Sequence, residues 1–179
     1  LDNVAATAEI DQPNRTVTIR VWGKNTGNLP GKDVVQVYYS APYTVGGIEK
    51  ASANLVGFAK TDLLQPGQAQ IVTISFAAQE MASFDWSDAN SNGFAGYELE
   101  AGDYNISIRK NSHDVVDSVT RTVKEIMLCK TDYITGNQVE PVFVDKYTTV
   151  NDSLLNHLIS RSTGLEQPTV ASVADRTLS

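Results

Sequence analysis

Alternation with a period of two runs through the first two-thirds of this chain and decides what it can fold into. "RTVTIRVWGKN" sets Val17, Ile19 and Val21 on one face and Thr16, Thr18, Arg20 and Trp22 on the other. "DVVQVYYS" groups Val35, Val37 and Tyr39 against Val34, Gln36 and Tyr38. "QIVTISF" offers Val72, Ile74 and Phe76, and "DYNISIRK" offers Tyr104, Ile106 and Ile108. "ATAEID" and "DSVTRTVKE" alternate in the same way. Side chains on a strand point to opposite faces in turn, so such segments are half-buried strands. The breaks "NTGNLPGKD", "LQPGQ" and "EAGD" are turn chemistry.

Short strands of this kind, separated by such turns, predict an all-β fold, an antiparallel β-sandwich of the immunoglobulin or fibronectin type III-like class. Tyr104 follows a Gly-Asp turn at a strand start and suits a tyrosine corner, its hydroxyl tied back to nearby backbone. After residue 124 the period is lost. The reading is a sandwich over 1–124 and a mostly irregular extension over 125–179, packed on the sandwich or on a neighbouring domain. Within the extension, "NDSLLNHLISRS" predicts a short helix capped by Asn151 or Asp152, with Leu154, Leu155, Leu158 and Ile159 on its apolar face.

The 179 residues suffice for one domain with a real core. A formal net charge of −7 repels phosphate backbones, which argues against nucleic acid as a partner. No apolar run approaches the ~18–20 residues of a membrane-crossing helix, so no membrane partner is expected. The chain opens mid-pattern at Leu1 without a signal peptide, and a piece of a longer polypeptide is the expectation. Cys129 is the one cysteine. It is expected as a small buried residue after a strand, and with the absence of an export signal it points toward the cytoplasm, although a fragment would hide its signal.

"DANSNGFAGYEL", residues 88–99, carries the front half of a calcium loop, with Asp88, Asn90, Asn92 and Gly93 in place. The closing position holds Leu99 where a bidentate Glu is required, and Glu98 and Glu100 stand one place off on either side. The segment therefore reads as a polar hairpin turn, with Leu99 directed into the core. No metal and no cofactor are expected. His113 in "KNSHD" is a surface turn histidine. Consecutive residues cannot form a Ser-His-Asp triad, whose members must come from separate elements. Asp85, Asp88, Glu98, Glu100 and Asp103 read as a solvated sheet end rather than a glycosidase pair.

The series "GKDVVQVYYSAP", "GGIEKASANLVGFAKTDLLQPGQAQIVTISF", "MASFDW" and "YELEAGDYNISIRKNS" resembles the fibronectin type III-like domain of glycoside hydrolase family 3, the family of many β-glucosidases, over roughly residues 9–124. Ile159 to Arg161, Pro168 with Thr169, and Asp175 to Thr177 are similar to the connector of members with reversed domain order. The resemblance implies catalysis elsewhere, on a barrel domain with an Asp nucleophile and an α/β sandwich domain with a Glu acid/base. Neither motif occurs here, so no catalytic residue carries over. It implies a non-catalytic structural module bracing those two domains as its partners, in the same or a separate chain. A free-standing carbohydrate-binding or adhesion sandwich is the alternative.

Trp22 and Tyr38 are expected to face outward on adjacent strands, as a docking patch, a sugar-stacking platform or scattered surface aromatics. The loop "APYTVGGIEKASAN" supplies the other docking candidates, Tyr43, Ile48, Glu49 and Lys50.

Overall fold

The computed structural model describes the backbone of residues 2–11, residues 16–139 and residues 160–162. Strands β1 (Asp2–Asp11), β2 (Thr16–Lys24) and β5 (Ala69–Ala77) form one antiparallel sheet in the order β1-β2-β5. Strands β3 (Val34–Ser40), β4 (Asn54–Lys60), β8 (Gly102–Arg109) and β9 (Val115–Val123) form a second, in the order β4-β3-β8-β9. The sheets come together where β4 lies against β5 and β1 against β9. A small third sheet joins β6 (Ser83–Asp85), β7 (Gly96–Leu99) and β10 (Met127–Leu128). Between β5 and β6 runs a single 3₁₀ turn, Ala78–Met81.

The faces that alternation marks as apolar meet in the core. Val17, Ile19, Val21, Val35, Val37, Tyr39, Val72, Ile74, Phe76, Tyr104, Ile106 and Ile108 are all buried in one cluster. Each such aliphatic side chain contributes roughly 1.5–3 kcal/mol on leaving water. Gly57 on β4 is required by this packing, because a Cβ there would stand 2.8 Å from Ile74 Cγ2.

Tyr104 forms the expected corner. Its ring is 1% exposed and its hydroxyl donates to the Glu100 carbonyl at 3.3 Å. Burial pushes its pKa far above the usual phenolic range, so the hydroxyl stays a donor. Tyr104→Phe is expected to cost about 1 kcal/mol in urea unfolding, because it leaves that carbonyl without its donor. A change below a few tenths would place the corner's value in the ring alone.

The described part of the C-terminal extension packs on the sandwich. Met127 and Leu128 pair with Leu99 and Glu98, and the Cys129 amide donates to the Tyr97 carbonyl at 2.8 Å. Cys129 is buried, as its small apolar character suggests. A bridge between Thr131 and Gln138 closes a small turn beyond it. The helix expected within 151–162 and the connector positions 168–169 and 175–177 lie outside the described residues, apart from 160–162, which form a turn.

Candidate functional site

The loop after β3, residues 41–50, gathers the polar features of the molecule. It turns at Gly46, whose φ is 83°, and at Gly47, whose amide donates to the Thr44 carbonyl at 3.0 Å. Alternation beyond the turn sends Ile48 and Lys50 inward, 3% and 8% exposed, and leaves Glu49 outside. Two of the predicted docking residues in this loop are therefore part of its foundation.

Lys50 is the centre of a buried charge cluster. Its ammonium donates to the Pro42 carbonyl at 2.7 Å and pairs with the Glu100 carboxylate. Glu98 and Asp85 face it from the small sheet. Glu98 sits opposite Ser83 in the β6–β7 register, and Asp85 lies two residues beyond Ser83, so both carboxylates share one face. Asp85 Oδ1 accepts the amides of Ser87 and Ala89, at 3.1 and 3.0 Å. Glu98 Oε2 accepts the side-chain amides of Asn90 and Asn92, at 3.0 and 2.7 Å. The remaining oxygens, Asp85 Oδ2 and Glu98 Oε1, are buried without a hydrogen bond, so Lys50 is the charge that answers them. Burial lowers the Lys50 pKa, and the fields of Glu98 and Asp85 oppose that shift.

This overturns the reading of a solvated sheet end at Asp85 and Glu98, while Asp103 is exposed as that reading expects. Asp85 and Glu98 are 1% and 0% exposed, held by the turn between β6 and β7 through Ser87, Ala89, Asn90 and Asn92, with the Lys50 ammonium within reach of their fields. That turn is the segment with the half-pattern of a calcium loop. Asp88 and Ser91 take positive φ of 52° and 56°, and Gly93 takes 81°. The Asp88 carboxylate is committed to the amides of Asn92 and Gly93. Asn90 and Asn92 aim their amide donors at Glu98 instead of presenting oxygens to a shared point. Leu99 is core, as expected.

The two aromatic docking candidates do not form one patch. Trp22 lies on β2 and Tyr38 on β3, which belong to different sheets because the connection through residues 25–33 crosses the sandwich. Trp22 is 39% exposed, with Ile71, 62% exposed, directly opposite it on β5. Tyr38 is 9% exposed. The Arg109 guanidinium covers its ring at 5.3 Å, and its hydroxyl donates to Gln36 Oε1 at 3.0 Å. His113 is exposed in its turn.

Glu49 and Tyr43 hold a distant part of the chain. Glu49 Oε1 accepts the Arg161 backbone amide at 2.7 Å, and Oε2 accepts the Ser160 hydroxyl at 2.9 Å. The Arg161 guanidinium lies 4.8 Å from the centre of the Tyr43 ring, and the Tyr43 hydroxyl reaches Glu49 Oε2 at 3.3 Å. The Arg161 amide is the main cause of a lowered Glu49 pKa; slight burial opposes it, and the Ser160 and Tyr43 hydroxyls add to it.

Comparison with known proteins agrees with this geometry. Residues 33–112 match the model of the fibronectin type III-like domain. β-Glucosidase A of Butyrivibrio fibrisolvens is 44% identical over 90 residues, which is 50% of this chain and 10% of that protein. The β-glucosidase of Ruminococcus albus is 44% identical over 88 residues, 49% of this chain and 9% of its own length. The chain thus spans about a tenth of these relatives. The crystal structure of a Paenibacillus barengoltzii β-glucosidase superimposes with a TM-score of 0.59 and 32% identity, over 70% of this chain and 14% of that one. Over residues 33–112 the chain is therefore similar to the fibronectin type III-like domain, and the relatives and solved structures it resembles are β-glucosidases.

Proposed function

We propose that this chain is a non-catalytic accessory module of a family 3 hydrolase of the β-glucosidase type, bracing the barrel and α/β sandwich domains that perform the reaction. The observation that carries the reading is the high identity to a short stretch of much longer β-glucosidases. The chemistry of the chain agrees with it. A retaining glycosidase needs two carboxyls ~5–5.5 Å apart on either side of a sugar pocket. The paired carboxylates of this module, Asp85 and Glu98, are closed to solvent and answered by Lys50, so no sugar can reach them. On this reading residues 1–124 form the module, and 125–179 lead from it toward a neighbouring domain.

The docking surface we favour is the outer face of the β1-β2-β5 sheet, where Trp22 and Ile71 stand side by side. A large half-exposed aromatic beside an aliphatic is the composition of an interface centre. In the polypeptide that carries this module with its catalytic domains, Trp22→Ala is expected to weaken docking by about 2 kcal/mol. The module's own unfolding would stay in place while the melting of the whole enzyme shifts down. An unchanged melting profile of the enzyme would remove this face from the interface. Hydrolysis of an aryl β-glucoside by that polypeptide tests the enzyme class. Binding of soluble β-glucan by the module, without such hydrolysis, would favour a free-standing carbohydrate-binding sandwich instead.

A further inference from the structure

We propose that loop 41–50 is a docking site for the chain's own Ser160–Arg161 segment, a latch that fixes this segment against the module. Three features make it a built site rather than a chance contact. The first is shape in the recognition. One carboxylate takes the Ser160 hydroxyl on one oxygen and the Arg161 amide on the other. The arginine side chain does not pair with Glu49 in this arrangement but lies over the Tyr43 ring. A serine hydroxyl, a free backbone amide and a planar cation are read together, which specifies a Ser-Arg step.

The second feature is rigidity of the receiving loop. Glu49 stands between Ile48 and Lys50, both buried, and Lys50 is tied to Pro42 at the loop's start and to Glu100 on the neighbouring strand connection. The latch carboxylate is therefore held on both sides by anchored residues. The third feature is span. The Val139 amide donates a hydrogen bond to the Lys130 carbonyl, and the chain is captured again at residue 160. A second fixed point this far along the sequence restricts the chain more than the first does alone. The Ser160 side chain also meets the Ser162 hydroxyl at 2.7 Å, and its oxygen accepts the Ser162 amide, which shapes the captured turn.

The inference stands whether or not the module belongs to a hydrolase, and its test needs only the full chain. Trypsin cleaves after arginine, so the latch predicts protection of the 161–162 bond. The free peptide of residues 155–167, in which Arg161 is the sole tryptic site, gives the unprotected rate. Cleavage of this bond in the intact chain is expected to be about tenfold slower than in the peptide. Glu49→Ala should bring the rate most of the way back, and Tyr43→Leu part of the way, with the melting temperature of the sandwich unchanged in both. Equal rates in chain and peptide would overturn the latch. Protection that survives Glu49→Ala would overturn it as well, by moving the capture to other residues. Should Tyr43→Leu lower the melting temperature, Arg161→Lys keeps the tryptic site while giving up the planar cation, and the latch then requires less protection in that variant, measured against a peptide with the same substitution, than in the parent chain against its own peptide.

Discussion

Lys50→Met lowers the unfolding free energy by about 3–5 kcal/mol, read as a fall in the urea midpoint at unchanged slope. The side chain's volume is kept, so little of the loss comes from packing. The loss comes from what remains behind. Asp85 and Glu98 are closed to water, each has one oxygen with no hydrogen bond, and Lys50 is the cation whose field reaches both. Without it, two buried carboxylates lie on one face of the β6–β7 pair with no counter-charge. Adding Glu98→Gln to the Met variant removes one of those charges and keeps the volume, so it should return part of the loss. A positive coupling between the two substitutions is the signature of the cluster. A loss below about 1 kcal/mol, or additive behaviour, would mean that the carboxylates find their compensation elsewhere.

Gly102→Ala costs about 2–4 kcal/mol, from two sources that reinforce each other. Gly102 has a φ of 136°, a conformation that side-chain-bearing residues avoid. A Cβ there would also stand 2.8 Å from Pro42 Cγ and 3.1 Å from Pro42 Cβ, inside contact distance. Relief by moving Pro42 is not free, because its carbonyl is an acceptor for Lys50. The control is Gly57→Ala. Its added Cβ meets one methyl carbon, Ile74 Cγ2, without a positive φ, so it should cost less. Equilibrium denaturation of both variants decides it, and the reverse order would show that the backbone at Gly102 is not under this constraint.

The sandwich was legible where one face is buried and the other is wet. Val17, Ile19 and Val21 on β2 follow that rule; on β8 Tyr104, Ile106 and Ile108 are buried as the alternation marks them, but Ser107 on the opposite face is buried as well. β4 was not legible. Its residues Leu55 and Phe58 are 50% and 70% exposed, and a register shift opposite Val37 and Tyr38 breaks the period. Pairing of Trp22 with Tyr38 failed for a topological reason, since strands consecutive in the chain sit in opposite sheets. The charge cluster was hidden by the default that carboxylates face water. Its one advance signal was Glu98 beside core-directed Leu99, on a strand short enough to be covered on both sides. Recognising it requires knowing that Lys50 returns to that strand, which is a fact of tertiary structure. The latch depends in the same way on residues more than a hundred positions apart.

Cys129 gives the molecule a built-in chemical clock. It is the single thiol of the chain, and it is 4% exposed directly beyond β10, with its amide bonded to Tyr97 on β7. A disulfide reagent in solution can reach that sulfur only when the short β10 segment lets go of β7. The labelling rate at low reagent therefore counts those openings, and at high reagent it levels off at the opening rate itself. No dye, tag or substitution is needed to watch the outermost strand of the small sheet detach while the rest of the sandwich stays closed.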